Sequence, residues 1–189
     1  MNHRQPTKRH RLDHGQRYSA LVVVQAAATI ALGLLGLAGI AKVVDPQPTS
    51  GALAAAHLPS QVWLVRMLGL LELAAAVVGL AVGSVAAFSG ALLYLGFAAF
   101  TLAAVRGDRP LQSCGCFGRE DTPPTWIHFG FNTVSALSLA AVALRGAPTI
   151  PWNGQTGEVI GYLAFAGLGV FAGYLMLTAL PQTLAVSRR

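Results

Sequence analysis

The sequence predicts an all-α fold, a multi-pass transmembrane bundle of about five helices, on three observations. Hydrophobic residues make up 54% of the 189 positions and charged residues only 11%. Mean hydropathy is +0.57, well outside the balance of a soluble domain. The apolar residues are also gathered into five runs, 19–41, 61–82, 85–105, 127–144 and 159–180. Each is close to the roughly 17 to 25 residues that a helix needs to cross a bilayer.

Taken in order, the chain opens with a basic tail, in which Arg4, Lys8, Arg9, Arg11 and Arg17 supply five of the thirteen Lys and Arg. Because the basic charge is concentrated there, the pI of about 10.0 points to topology or to anionic lipid headgroups rather than to nucleic acid. The first apolar run, about 23 residues, is longer than the roughly 7 to 15 residues of a signal-peptide core. No small-residue cleavage site precedes Lys42, so the run is expected to stay as a span. Asp45-Pro46 reads as the turn that ends it, since proline restricts the residue before it and removes a backbone donor. A Pro-rich connection (43–60) leads to the second span. The second and third spans are joined through Gly83-Ser84, too short a link for anything but an antiparallel hairpin. The cysteine loop (106–126), the fourth span, a Pro/Gly/Asn stretch (145–158) and the fifth span complete the chain, and turn formers stop each helix. The expected organisation is a basic tail (1–17), a membrane domain (18–146), a linker with the fifth span (147–181) and a C-terminal tail (182–189). With no broken span and no pair of half-helices, a transporter is disfavoured.

The positive-inside rule keeps the basic tail cytoplasmic and puts the cysteine loop outside. Beyond the tail, Arg145 falls on the inner side and Lys42, Arg106, Arg109, Arg119, Arg188 and Arg189 on the outer, an equal count of six. The tail decides because it precedes the first span and because Asp108, Glu120 and Asp121 surround the loop arginines. The expected location is the plasma or inner membrane.

The loop contains Ser113-Cys114-Gly115-Cys116-Phe117-Gly118, with the only two cysteines of the chain. In an extended strand, Cα atoms two apart lie about 6.6 Å from each other, at the upper edge of disulfide geometry. Gly115 supplies the bend that brings them closer, and Gly118 extends that freedom past Phe117. A bridge over so few residues gains little loop-closure entropy and bears strain, which favours a labile redox pair over a staple. Two alternatives stay open: soft-metal binding, since two thiolates hold Cu(I) but not a closed zinc site, and a small structural bridge or inert thiols. His128, near the head of the fourth span, reads as interfacial, or else as a third ligand or a modulator of thiol acidity.

Within the membrane, Glu72 stands near the middle of the second span, where a carboxylate is costly and is paired, protonated or turned to a polar cavity. It either carries a proton coupled to thiol oxidation or hydrogen-bonds a neighbour, with Gln25, Thr101 and Asn132 as candidate partners. Arg66 is off that helical face and snorkels to the headgroups. Lys42 and Asp45 flank the outer end of the first span, as an ion pair near the loop or as ordinary interfacial anchors. Trp63 and Trp126 fit an aromatic belt. Gly33, Gly36, Gly39, Gly79 and Gly83 allow close helix packing, internal by preference, although the Gly79-to-Gly83 spacing also permits a homo-oligomer.

An ordered set of residues resembles the methylamine-utilisation MauE family, which is related to DoxX-like redox-associated membrane proteins. The set is Lys42-Val43-Val44-Asp45-Pro46, then Leu58-Pro59, Glu72, Cys114-Gly115-Cys116-Phe117-Gly118, Trp126 and Asn132. Phe131 stands where the family often has arginine. The resemblance implies a four-helix core followed by a further span, and a membrane protein of thiol–disulfide handling that helps exported disulfide-containing partners mature. In that reading Cys114, Cys116 and Glu72 carry the chemistry, supported by Lys42, Asp45, Gly115, Phe117, Gly118, Trp126 and Asn132, with no metal. No cofactor motif is evident, and electrons are expected to pass to a membrane quinone or a second thiol protein. The rival is a non-enzymatic assembly scaffold with structural or soft-metal-binding cysteines.

Overall fold

A computed structural model describes residues 8–107, 117, 123–150 and 154–179. Cys114, Gly115, Cys116 and Gly118 lie outside the described residues, as do Asp108, Arg109, Arg119, Glu120, Asp121 and both chain ends. Among the described residues there are six helices and no strand: α1 (Lys8–Val44), α2 (Gln47–Ala55), α3 (Val62–Val82), α4 (Ser84–Arg106), α5 (Trp126–Arg145) and α6 (Thr156–Thr178). Five are long and apolar enough to cross a membrane, with α1 counted from Ser19. The chain is a multi-pass membrane protein.

The connection read as an irregular Pro-rich stretch is a correction, because it contains α2. Pro46 and Pro48 sit at the start of that helix, where a missing N–H costs nothing. The Asp45 carboxylate accepts the Gln47 amide at 3.3 Å, and Pro48, Thr49 and Ala52 are buried.

Gly83 alone joins α3 to α4. Its φ of +72° is one that side chains rarely adopt, and a Cβ there would stand 2.9 Å from the Pro148 Cα. Helix α1 packs on α3, α3 on α4, α4 on α5 and α5 back on α1, closing a four-helix ring, while α6 lies against α1 outside it. The core is small-residue packing: Ala28, Ala31, Ala75, Ala76, Ala87, Ala91 and Ala136 surround Leu32, Leu35, Leu139 and Val142. Such residues let helix backbones approach where lipid removes the hydrophobic drive for association. Large apolar side chains such as Leu71, Leu95, Leu137 and Leu168 point outward.

Alternation of the five spans brings the C-terminal ends of α1, α4 and α6, the N-terminal ends of α3 and α5, and α2 to one end of the bundle. The cysteine loop joins α4 to α5 at this end. At the opposite end Thr149 clasps the ring. Its hydroxyl donates to the Gly79 carbonyl at 2.8 Å, and its own carbonyl receives Thr29 Oγ1 at 2.7 Å and Tyr162 OH at 2.9 Å. Gln25 donates to the Pro148 carbonyl at 2.9 Å. Gln25 is therefore committed to this clasp and is not a partner of Glu72.

Candidate functional site

Gly39 of α1 and Gly69 of α3 let the two backbones touch. A Cβ on Gly39 would stand 2.6 Å from the Gly69 carbonyl oxygen, and one on Gly69 would stand 2.8 Å from the Gly39 carbonyl oxygen. Three residues on, and so on the same helical face, each helix carries a charge: Lys42 on α1 and Glu72 on α3. Lys42 Nζ meets Glu72 Oε2 at 2.9 Å, with the side chains 3% and 0% exposed. The ammonium also lies 5.5 Å from the centre of the Phe97 ring, within cation–π range.

This overturns two expectations. Lys42 is neither an interfacial anchor nor the partner of Asp45, because the Gly39–Gly69 contact brings Glu72 within reach. Asp45 is exposed and turned to the start of α2. Thr101, another suggested partner of Glu72, bonds back to the Phe97 and Ala98 carbonyls of its own helix at 2.8 and 3.1 Å. Glu72 Oε1 is buried without a hydrogen-bond partner among the described residues. Arg66 is exposed, as expected, and Trp63 and Trp126 are 64% and 56% exposed at helix starts.

A cavity of about 320 Å³ opens beside the ion pair, reached by Lys42, Asn132, His128, Phe97, Phe131 and Phe117 among others. Asn132 is 8% exposed and no hydrogen bond ties its amide to another described residue. It shares the cavity with Lys42 and does not bond Glu72. Phe117, one peptide bond from Cys116, packs edge-on against Tyr174 of α6 with ring centres 5.5 Å apart.

His128 is buried, 3% exposed, rather than interfacial. Its Nδ1 accepts the Thr125 amide at 3.3 Å and lies 2.9 Å from the Thr125 hydroxyl, capping α5. The amide can only donate, so Nδ1 is the acceptor and Nε2 carries the ring proton. The ring and Leu177 of α6 line the same cavity. His128 is therefore a buried cap of α5, with its Nδ1 lone pair committed to Thr125.

The family described as Methylamine utilisation protein MauE matches residues 19–146, more than half of the chain. The chain belongs to the MauE family. No curated protein and no solved structure matches it. The MauE match takes in the four helices of the ring, α2 and the cysteine loop, and stops before α6. Of the residues expected from the resemblance, the MauE fold brings Lys42, Phe117 and Asn132 onto the cavity, with Glu72, from the middle of α3, paired to Lys42 beside it. Asp45 and Trp126 lie at the end of the bundle that carries the loop, without entering the cavity. The residues missed from sequence were Gly69 as the counterpart of Gly39, His128 as a buried cap, and the aromatic lining. A signal for the first was available: Gly-x-x-Lys and Gly-x-x-Glu in successive spans.

Proposed function

We propose that this MauE-family protein supports thiol–disulfide exchange at the outer face of the plasma membrane, with Cys114 and Cys116 as the exchanging pair and an exported disulfide-containing protein as partner. The observation that carries this reading is Phe117. The residue bonded to Cys116 is seated on the bundle against Tyr174 and faces the cavity beside the Lys42–Glu72 pair. Exchange needs the sulfurs of the pair presented in line with a partner sulfur, and an anchor at the adjacent residue favours that.

In the oxidising direction a partner thiolate attacks one sulfur of the Cys114–Cys116 disulfide. That S–S bond breaks as the mixed disulfide forms, and the partner's second thiolate then displaces the loop thiolate. The partner gains a disulfide and the loop pair takes two electrons and two protons. Lys42 and Glu72 act as positioning residues that fix α1 to α3 beside the cavity.

Acid-trapping followed by alkylation with a bulky maleimide tests this. A mixed disulfide with an exported protein is expected to accumulate when one cysteine is changed, in Cys114→Ser or Cys116→Ser. The absence of any mixed disulfide in both variants, with function retained in the double variant, would instead support the scaffold reading.

A further inference from the structure

We propose that the cavity between α1, α4 and α5 is a binding site for a membrane quinone, which takes the electrons of the Cys114/Cys116 pair. This rests on the thiol-exchange reading above. The cavity volume of about 320 Å³ is at the lower end of the usual range for small-molecule sites, about 300 to 1,000 Å³. It suits a single substituted ring better than a whole isoprenoid tail. Phe97, Phe100 and Phe131 give flat aromatic walls, which favour a planar ring over a flexible chain. Leu92 and Gly96 line the cavity and are also exposed. They lie near the middle of α4, so the mouth stands at membrane depth and admits a ligand from the lipid.

Asn132 is one of the polar residues that line the cavity, with Lys42, Thr49, Tyr94 and His128. As a residue Asn132 is 8% exposed, and its amide makes no hydrogen bond to another described residue. A carboxamide both donates and accepts. It can therefore donate to a quinone carbonyl and accept from the hydroxyl that replaces it, serving both oxidation states. In the reaction the S–H bonds of Cys114 and Cys116 break and an S–S bond forms. The two electrons and two protons go to the quinone, one of each per carbonyl oxygen, and it leaves as the hydroquinone. The regenerated disulfide is then ready for the exported partner.

The test uses the full chain in lipid nanodiscs and a decyl-substituted benzoquinone, with decanol as an apolar control. Binding is read by quenching of tryptophan fluorescence, and hydroquinone by absorbance after anaerobic mixing with the pre-reduced protein. Saturable quinone binding that decanol does not displace is expected. Asn132→Leu should weaken it about tenfold, the worth of one buried hydrogen bond. Gly96→Phe, at a position with open space for a side chain, should block the mouth to a similar extent. Leu137→Phe, on the outward face of α5, should bind as wild type. Hydroquinone should form with wild type and not with Cys114→Ser. Displacement by decanol at equal concentration, or unchanged binding in both Asn132→Leu and Gly96→Phe, would overturn the site even if partner exchange stands. Binding without hydroquinone would overturn the electron transfer and locate the failure in the thiol reading.

Discussion

Lys42 and Glu72 are an ion pair withdrawn from both water and lipid headgroups, and such a pair is sensitive to loss of either member alone. Glu72→Leu takes away the carboxylate that meets the buried Lys42 ammonium and is expected to destabilise the fold by about 3 to 5 kcal/mol. Lys42→Met combined with Glu72→Leu should recover most of that loss, since a well-packed apolar pair replaces a buried ion pair at little cost. Unfolding titrations in mixed detergent, followed by circular dichroism, check both. His128→Ala removes the cap bonds to Thr125 and is expected to cost about 1 kcal/mol, read in the same titration. At this scale the sequence was legible in kind but not in pairing. A carboxylate in mid-span demands a partner, which singled out Glu72 correctly. The identity of the partner depends on which helices touch, and Lys42, near a helix end, has the position of an ordinary snorkelling residue.

The elements were legible where hydropathy defines them and obscure where it does not. The five spans follow from apolar length, and the one-residue link at Gly83 follows from its brevity. Helix α2 was hidden because Pro46, Pro48 and Gly51 are turn formers by type; the prolines are compatible with a helix at its start, and Gly51 is tolerated within it at about 1 kcal/mol. The α1–α3 contact was half-visible. Gly39 is one of the glycines that allow close packing, while its counterpart Gly69 gave no sign by itself. Gly69→Leu drives a side chain into the Gly39 carbonyl and the Lys42 stem, and is expected to destabilise by about 1 to 3 kcal/mol or more, as over-packing does. Gly161→Ala on α6, with nothing near the added methyl, should stay within about 1 kcal/mol of wild type. Thermal unfolding of the two variants in the same detergent compares them directly.

For the whole molecule, the four-helix ring and the outlying α6 agree with the extent of the family match, which ends at residue 146. The cavity was not legible at all, because it is formed by side chains from several helices whose spacing along the chain says nothing of their convergence. Among the described residues, α6 reaches the site end through Gly173, Tyr174 and Leu177. A chain ending after Ile150 is expected to keep the helical ring, as judged by circular dichroism. With the Phe117–Tyr174 contact gone, its cysteines should react with maleimide several-fold faster than those of the full chain. The central claim is that Cys114 and Cys116 form a redox-active pair facing outward, and labelling in intact cells tests it most directly. Cells are acid-quenched, free thiols are blocked, the sample is reduced, and newly exposed thiols are tagged with a bulky maleimide; a parallel sample of living cells receives a membrane-impermeant maleimide after mild reduction. The account predicts that a substantial fraction of the full-length protein carries two new tags, and that the impermeant reagent reaches both cysteines without opening the membrane. A pair that is always reduced, or that is labelled only after the membrane is opened, would contradict it.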